Sequence, residues 1–247
     1  MNLGSRLAAV AGARRGAVPF AALVTLLAVL PLLAGCDALG KIGAGSHNPP
    51  AKAFTVSGRV TDVVIDGGSG SIDVTGSSRS SVSVSQQASY SDTPPAATHV
   101  VRGTTLTVSY TCPTELVCGV AYTVEVPYDV AVTVSTGAGS VTLTSLAGTV
   151  SARADAGLIT AVDLRSPVTS LKSNAGGVIA TFSVAPRSLT ATTNVGPITL
   201  TVPGTVAYRI STHTFVGSST VTVRRSDNSA HSISAHSDLG SISINPS

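Results

Sequence analysis

The stretch of this chain that most resembles a catalytic or phosphate-binding site is STGAGSVTLTSLAG, residues 135–148. Gly137 and Gly139 have the spacing of half a phosphate-cradling loop, and the serines beside them could act as nucleophiles. A dinucleotide-binding loop also needs a third glycine, a following helix and a later acidic residue, which this stretch lacks. A serine nucleophile needs a histidine and an orienting acid within reach, whereas the five histidines are scattered along the chain. The sequence therefore predicts no catalytic residue, no enzymatic activity and no cofactor.

Aspartates are the second group that could carry chemistry. Asp62, Asp66 and Asp73 cluster in VTDVVIDGGSGSID, and Asp155 and Asp163 flank a single predicted strand. Carboxylates on stacked turns can bind calcium, or act as the acid and base of polysaccharide cleavage. The chain has only two glutamates, and its aspartates occupy no repeated position. We predict no metal site, and keep a calcium-dependent glycan-binding or glycan-cleaving scaffold as the alternative function.

Three histidines, His213, His231 and His236, lie near the C-terminus, where neighbouring repeats could bring two of them together. Solvent-facing positions on strands are the simpler interpretation of these residues. We therefore assign them no catalytic or metal-binding role.

The N-terminal segment has the composition of an export signal, in which arginines precede an apolar run and small residues end it at Cys36. The sequence LAGC at residues 33–36 resembles the bacterial lipoprotein lipobox. That resemblance implies cleavage before Cys36, acylation of its thiol, and a lipid-anchored protein on the extracytoplasmic face of the cell membrane. A single membrane-spanning anchor is the alternative, because the apolar run is nearly long enough to cross a bilayer. Pro31 fits poorly in such a helix.

Charge excludes nucleic acid as a partner once this signal is set aside. The whole chain has 15 Lys+Arg against 12 Asp+Glu, and Arg6, Arg14 and Arg15 belong to the signal, which has no acidic residue. The remainder is 12 against 12, so it has no net charge and no basic stripe. Aromatic residues for stacking on bases are also scarce, at 4% of the chain.

Cys112 and Cys118 are predicted to form a disulfide in the loop of a β-hairpin. Their flanks, LTVSY and AYTVEV, alternate as strands do, and oxidation is the expected state of cysteines outside the cytosol. Metal sites need further cysteine or histidine ligands at fixed spacing, and redox pairs are usually two residues apart.

Three regions follow from these observations. Residues 1–35 are predicted to be the lipoprotein signal peptide. Residues 36–52 are small, polar and proline-bearing, which is typical of a flexible tether. Residues 53–247 are predicted to form a β-strand-repeat domain.

A glycine phrase recurs along this domain at spacings of 18 to 23 residues. A glycine, usually preceded by an apolar residue, is followed two and four residues later by further apolar side chains; after Gly217 one position is skipped, and Val221 and Val223 follow. An earlier copy is suggested at Gly70. The predicted repeat-turn glycines are Gly139, Gly157, Gly176, Gly196, Gly217 and Gly240.

Each repeat holds two short stretches rich in Val, Ile and Thr with period-two alternation, the chemistry of half-buried β-strands. A unit of about 20 residues that cannot bury its own apolar face must stack on its neighbours. We predict an all-β fold, a β-solenoid of two-strand repeats with a more hairpin-like N-terminal part. An antiparallel sandwich of short strands is the alternative. The predicted common interior is formed by Val141, Ile159, Val178, Ile198 and Ile242.

The repeats also carry a family resemblance. The stretches at residues 122–150, 193–223 and 236–244 place "VP" phrases, Val126-Pro127 and Val202-Pro203, before runs of the G-x-V-x-L type. This pattern resembles the putative-adhesin β-strand-repeat family, a group of bacterial domains of unknown function, over roughly residues 53–247. The resemblance implies an extracytoplasmic β-repeat domain and brings no catalytic residue with it.

The function predicted from these features is non-enzymatic: a membrane-anchored surface module for structure, adhesion or interaction. Its expected partners are the membrane lipid that holds the anchor and cell-envelope polymers or other surface proteins.

Overall fold

The computed structural model describes residues 46–113 and 117–247. In these ranges every regular element is a β-strand, which confirms the all-β prediction. No helix in the described ranges has the length and apolar character that a membrane span requires. The predicted signal peptide and Cys36 lie outside the described residues.

The described strands, in chain order, are β1 (Lys52–Val56), β2 (Asp62–Ser69), β3 (Ile72–Ser77), β4 (Val82–Tyr90), β5 (Ala96–Arg102), β6 (Thr105–Thr111), β7 (Cys118–Pro127), β8 (Ala131–Ala138), β9 (Val141–Thr144), β10 (Val150–Ala156), β11 (Ile159–Leu164), β12 (Val168–Ala175), β13 (Val178–Phe182), β14 (Ser188–Val195), β15 (Ile198–Val202), β16 (Arg209–Val216), β17 (Ser219–Val221), β18 (Ser232–Leu239) and β19 (Ile242–Pro246).

These strands form two mixed sheets. The ten-stranded sheet has the order β1-β4-β7-β3-β9-β11-β13-β15-β19-β17. The nine-stranded sheet has the order β16-β18-β14-β12-β10-β8-β2-β6-β5. Both orders run through the same repeats, so each repeat contributes one strand to each sheet.

From β8 onwards the chain alternates between the sheets, with a glycine bend between an even-numbered strand and the odd-numbered strand that follows. We call such a pair of strands a rung. Equivalent strands of neighbouring rungs pair in parallel; Val150 of β10, for example, lies between Val132 of β8 and Thr169 of β12. Because every strand pair in this part of the chain is parallel, an antiparallel sandwich does not describe it.

The apolar residues that follow the glycine bends form one column of the interior. They are in register from rung to rung across the ten-stranded sheet, and each is buried. The sequence-based expectation of a shared interior at these positions is confirmed for Val141, Ile159, Val178, Ile198 and Ile242.

The last two rungs do not stack in chain order. β18 and β19 pair with β14 and β15, and β16 and β17 occupy the end of each sheet. The prediction that repeats stack on their neighbours did not specify this order, in which β18 lies between β14 and β16. The inward positions of the end rung include Thr212, Thr214 and Ser219, whereas β18 and β19 present the buried Ile233 and Ile244. The more polar rung lies at the end because an end rung has one face towards solvent.

Antiparallel pairing is confined to the N-terminal part, as predicted. β4 pairs in this way with β1 and β7, and β5 with β6, while β2 and β3 form a parallel rung around Gly70. Cys112 and Cys118 are disulfide-bonded with a Cα–Cα distance of 5.9 Å. The prediction that they close a β-hairpin is wrong, because β6 and β7 belong to different sheets. Their loop instead carries the chain from one sheet to the other.

The described end of the predicted tether lies against β4. The His47 N–H donates a hydrogen bond of 2.7 Å to the Tyr90 carbonyl oxygen, and the two rings stack at 5.5 Å. The side-chain amide of Gln87 donates to the Pro49 carbonyl oxygen. The chain therefore enters the described fold at the β1–β4 end of the ten-stranded sheet.

Candidate functional site

The glycines of the recurring phrase form a column at one corner of the rungs. All six predicted repeat-turn glycines have φ between 142° and 158°. A Cβ atom at Gly139 would lie 2.1 Å from the carbonyl oxygen of Gly70, and one at Gly176 would lie 2.1 Å from that of Gly157. Side chains are excluded by both backbone conformation and space. The Gly137-x-Gly139 stretch is thus a tight corner between strands.

Buried hydroxyls satisfy the carbonyl groups of this corner. Ser173 Oγ donates to the Gly157 carbonyl oxygen at 2.8 Å, and Thr193 Oγ1 and Ser237 Oγ both donate to that of Gly196, at 2.9 and 3.0 Å. This role of the buried Ser and Thr side chains was not identified from the sequence. The signal that could have found it is a hydroxyl three residues before five of the six repeat-turn glycines, the exception being Gly157, which is preceded at that spacing by Ala154.

The candidate carboxylates do not converge. Asp62 and Asp66 lie on β2, and Asp73 lies on β3 in the other sheet. Asp155 Oδ1 accepts hydrogen bonds from the side chains of Arg153 and Asn174, at 2.6 and 2.8 Å. Within residues 46–113 and 117–247, no three His, Cys, Asp or Glu side chains are arranged to hold a metal ion. The described fold therefore offers no observation in favour of the calcium-dependent alternative.

Asp163 occupies an irregular position in β11, where the register with β13 shifts. Its φ is 54°, and Ser145 of the preceding rung has φ 55°. Ser145 Oγ donates to the Asp163 carboxylate at 3.1 Å, and the Asp163 N–H donates to Thr181 Oγ1 at 3.0 Å. Hydrogen bonds from Ser183 and Ser145, together with the nearby Arg165, lower the pKa of the Asp163 carboxyl group. This carboxylate bridges three rungs and has no histidine beside it.

Two of the three C-terminal histidines do meet. The rings of His213 and His236 stack with their centroids 5.1 Å apart and 5° between their planes, on adjacent strands. His236 Nε2 lies 2.9 Å from Asp238 Oδ1. His231 lies apart from the pair, with Nδ1 2.9 Å from the Pro186 carbonyl oxygen and its ring against Tyr208. The stacked pair faces outward at exposed or half-buried positions, in agreement with the solvent-facing interpretation.

A groove of about 390 Å³ lies between β4 and β5, at the end of the fold where the described chain begins. Its lining combines four prolines with the polar side chains of Lys52, Gln86 and Tyr90 and with the buried Val120. The prolines that line it are Pro49, Pro50, Pro94 and Pro95.

The opposite end of the fold carries the most exposed large apolar side chain of the described residues. Phe215 of β16 is 81% exposed. Beside it, Val195, Leu239 and Val216 follow one another in register across β14, β18 and β16, and each is about half exposed. We call Val195, Phe215, Val216 and Leu239 the apolar corner. Because β16 and β17 are the last strands of their sheets, this corner borders an open edge and is the best candidate for an interaction site.

Comparison with known proteins gives a structural likeness only. No protein-family model matches the sequence, and no curated protein matches it. Similar solved structures include a putative cell adhesion protein from Clostridium sporogenes, with 11% identity, coverage of 81% of this chain and 100% of that chain, and a TM-score of 0.45. A putative adhesin from Bacteroides fragilis is 17% identical over 79% of this chain and 97% of its own, with a TM-score of 0.35. A third structure, a putative adhesin from Parabacteroides merdae, is 10% identical over 80% of this chain and 91% of its own, with a TM-score of 0.39.

These similar structures are of the class that the sequence resemblance indicated, bacterial proteins described as adhesins or cell adhesion proteins. Their TM-scores are all below 0.5, and the likeness therefore carries no argument about the activity of this chain.

Proposed function

We propose that this protein is a non-enzymatic lipoprotein of the cell surface, anchored through acylated Cys36, whose residues 53–247 form a β-solenoid that acts as an interaction or adhesion module. Residues 1–35 are its signal peptide and residues 36–52 its tether. Cell-envelope polymers or other surface proteins are its partners.

The arrangement of the two ends of the fold carries this proposal. The described chain begins at Ser46 beside β4, and the apolar corner lies on the far side of the parallel rungs. Eight strand steps separate β4 from β17 in the ten-stranded sheet, or about 38 Å at about 4.8 Å per step. An anchor at Cys36 leaves the apolar corner away from the membrane, where a partner can reach it.

The intervening rungs have the properties of a rigid spacer. Their interior is filled by buried aliphatic side chains, and close glycine contacts tie each rung to the next at the corner. Outward positions carry mostly Ser and Thr, for example Thr142 and Thr199 of the ten-stranded sheet, which keep the faces polar with little charge. A closely packed body of this kind keeps its two ends at a fixed separation.

Fractionation of cells that express the full chain tests the anchor. Wild-type protein is expected in the membrane fraction, carrying labelled fatty acid and open to protease added outside the cells. Cys36→Ser is expected to lose the label and to stay uncleaved before residue 36. Equal labelling of the two forms would contradict lipidation at Cys36.

Binding to isolated cell-wall sacculi and whole cells tests the interaction role. Cells displaying the full chain are expected to bind these surfaces more than cells without it, and Phe215→Ser should reduce the difference several-fold. Ile179→Ser is the matched control, because Ile179 is also an exposed apolar residue but lies mid-stack. No gain in binding over cells without the protein would contradict an adhesion role.

A further inference from the structure

We propose that the open end rung, β16 with β17, pairs with the same rung of a second copy of this chain, so that the two stacks join end to end across a two-fold axis. This inference names one partner for the interaction module proposed above and rests on the same end of the fold.

The backbone of the end rung has unused hydrogen-bonding groups. The Arg209 N–H donates to the His231 carbonyl oxygen at 2.8 Å, so alternate residues from Arg209 direct their backbone groups towards β18. Those of Ile210, Thr212 and Thr214 point away from the stack. Just before β17, the Ser218 carbonyl oxygen accepts from the Ile242 N–H at 2.8 Å, so the backbone N–H and C=O groups of Ser219 and Val221 point away from the stack. Among the described strands, none pairs with β16 or β17 on this side.

The edge lacks several of the devices that usually prevent strand pairing, although β17 itself is short, at three residues. β16 and β17 contain no proline, lysine or acidic residue, and their pairing with β18 and β19 has no extra residue other than at the glycine corner. Among the described residues, backbone cover is found just before β16, where Tyr208 exchanges hydrogen bonds of 2.9 Å with Arg224 and Ser226. This short cover limits how far an incoming strand can extend and so restricts its register.

A second copy fits this edge better than a single extended peptide. Both sheets end at the same rung, so one two-fold axis can pair β16 with β16 and β17 with β17 in antiparallel ladders. The half-buried inward residues Ile210, Thr212 and Val221 would then be covered by their equivalents. A peptide strand could pair with only one of the two edges.

The side chains at the two ends of β16 are complementary under that symmetry. One end carries the exposed Arg209, Arg224 and Arg225, and the other carries Phe215 in the apolar corner. Antiparallel pairing places Arg209 of each copy beside Phe215 of the other and keeps the two arginine groups apart, while Arg224 already donates to the carbonyl oxygens of Gly204 and Thr205 in its own chain. A guanidinium over an aromatic face is attractive, whereas like charges brought together are not.

The N-terminal segment of the same chain is too short to serve as the pairing strand. Cys36, the predicted first residue after cleavage, lies ten positions before Ser46, and ten fully extended steps span at most about 35 Å. The path from β4 to β17 is about 38 Å along the sheet, so no residues remain to pair with the edge.

Sedimentation of the detergent-solubilised full chain tests the proposal. The wild-type chain is expected to be a dimer at tens of micromolar and to dissociate on dilution. Thr212→Pro removes an outward N–H without affecting the ladder to β18, because proline is tolerated on the free side of an edge strand. It should weaken dimerisation at least tenfold, and Phe215→Ser should weaken it several-fold.

Ile179→Ser is expected to dimerise as the wild type does, and circular dichroism should show that each variant retains the wild-type β content. A wild-type monomer at all concentrations overturns the proposal, as does a dimer that both Thr212→Pro and Phe215→Ser leave unchanged. The proposal is also overturned if the wild type is a monomer and Thr212→Pro loses binding to sacculi. That result would identify an envelope component, and not a second copy, as the partner of the β16 edge. A dimer that binds no envelope surface supports this inference while contradicting the adhesion role.

Discussion

Gly157 lies so close to Gly139 of the preceding rung that a Cβ atom on Gly157 would be 2.0 Å from the Gly139 carbonyl oxygen. The φ of Gly157 is 151°, a conformation that other residues rarely adopt. Backbone strain and steric overlap therefore both oppose a side chain at this corner.

Gly157→Ala is expected to lower the free energy of unfolding by about 3 kcal/mol or more, since it adds a clash to a backbone strain of about 1–3 kcal/mol. Gly58→Ala is the matched control. Gly58 has φ 144°, but a Cβ atom there would meet nothing within 4 Å. Urea unfolding of the two variants measures the difference, and equal losses would show that the close approach costs nothing.

Tyr122→Phe is expected to stabilise the fold by about 1 kcal/mol, because its buried hydroxyl has no hydrogen-bond partner and an unsatisfied buried polar group costs about 1–3 kcal/mol. Tyr208→Phe should have the opposite effect, because Tyr208 Oη donates to the Pro203 carbonyl oxygen at 2.9 Å. Thermal unfolding of both variants decides this; a loss of stability in Tyr122→Phe would contradict the prediction.

Stability should fall in alkaline solution through Tyr122. Burial, with smaller contributions from Tyr110 and Asp66, raises the pKa of Tyr122 from 10.0 to about 12. Between these pH values the unfolded chain loses the phenolic proton while the folded chain keeps it, so the fold loses stability as pH rises. Urea unfolding of the wild type and of Tyr122→Phe at pH 9 and pH 11 measures this effect. Between the two pH values the free energy of unfolding should fall more for the wild type than for the variant.

Asp163 should make a small contribution to stability that disappears in acid. Its pKa is lowered in the folded state, so the contribution is present above the ordinary aspartate pKa of 3.8 and is lost as pH falls through the folded value. Asp163→Asn is a suitable variant, since asparagine tolerates the positive φ of this position. The variant should be less stable than wild type at pH 7, with the difference shrinking towards pH 2; a constant difference would contradict the prediction.

Reduction of the Cys112–Cys118 disulfide should cost about 2 kcal/mol, from the entropy of closing a short loop in the unfolded chain. The paired change Cys112→Ser with Cys118→Ser should reproduce this loss, and dithiothreitol should then have no further effect. Urea unfolding with and without dithiothreitol is the measurement, and a wild type insensitive to the reductant would contradict it.

Local patterns in the sequence were sufficient for the strands and their bends. Alternation around Val141 and Ile159 predicts which side chains face inward, and the glycine before each strand marks the corner. The candidate site was predicted less well: the meeting of two C-terminal histidines was considered, but the apolar corner was not. Phe215 belongs to it because β16 is an end strand, and no local pattern marks a strand as the last one.

The sequence by itself determined the all-β character, the glycine corners and the aliphatic column, because each depends on backbone conformation and side-chain polarity over a few residues. Only the tertiary structure decided which strands are neighbours. It placed β18 and β19 inside the stack and β16 and β17 at its end, and it assigned β6 and β7 to different sheets. Equivalent repeats offer nearly equivalent backbone partners, so the choice between them depends on how the whole chain divides its apolar and polar rungs between interior and end.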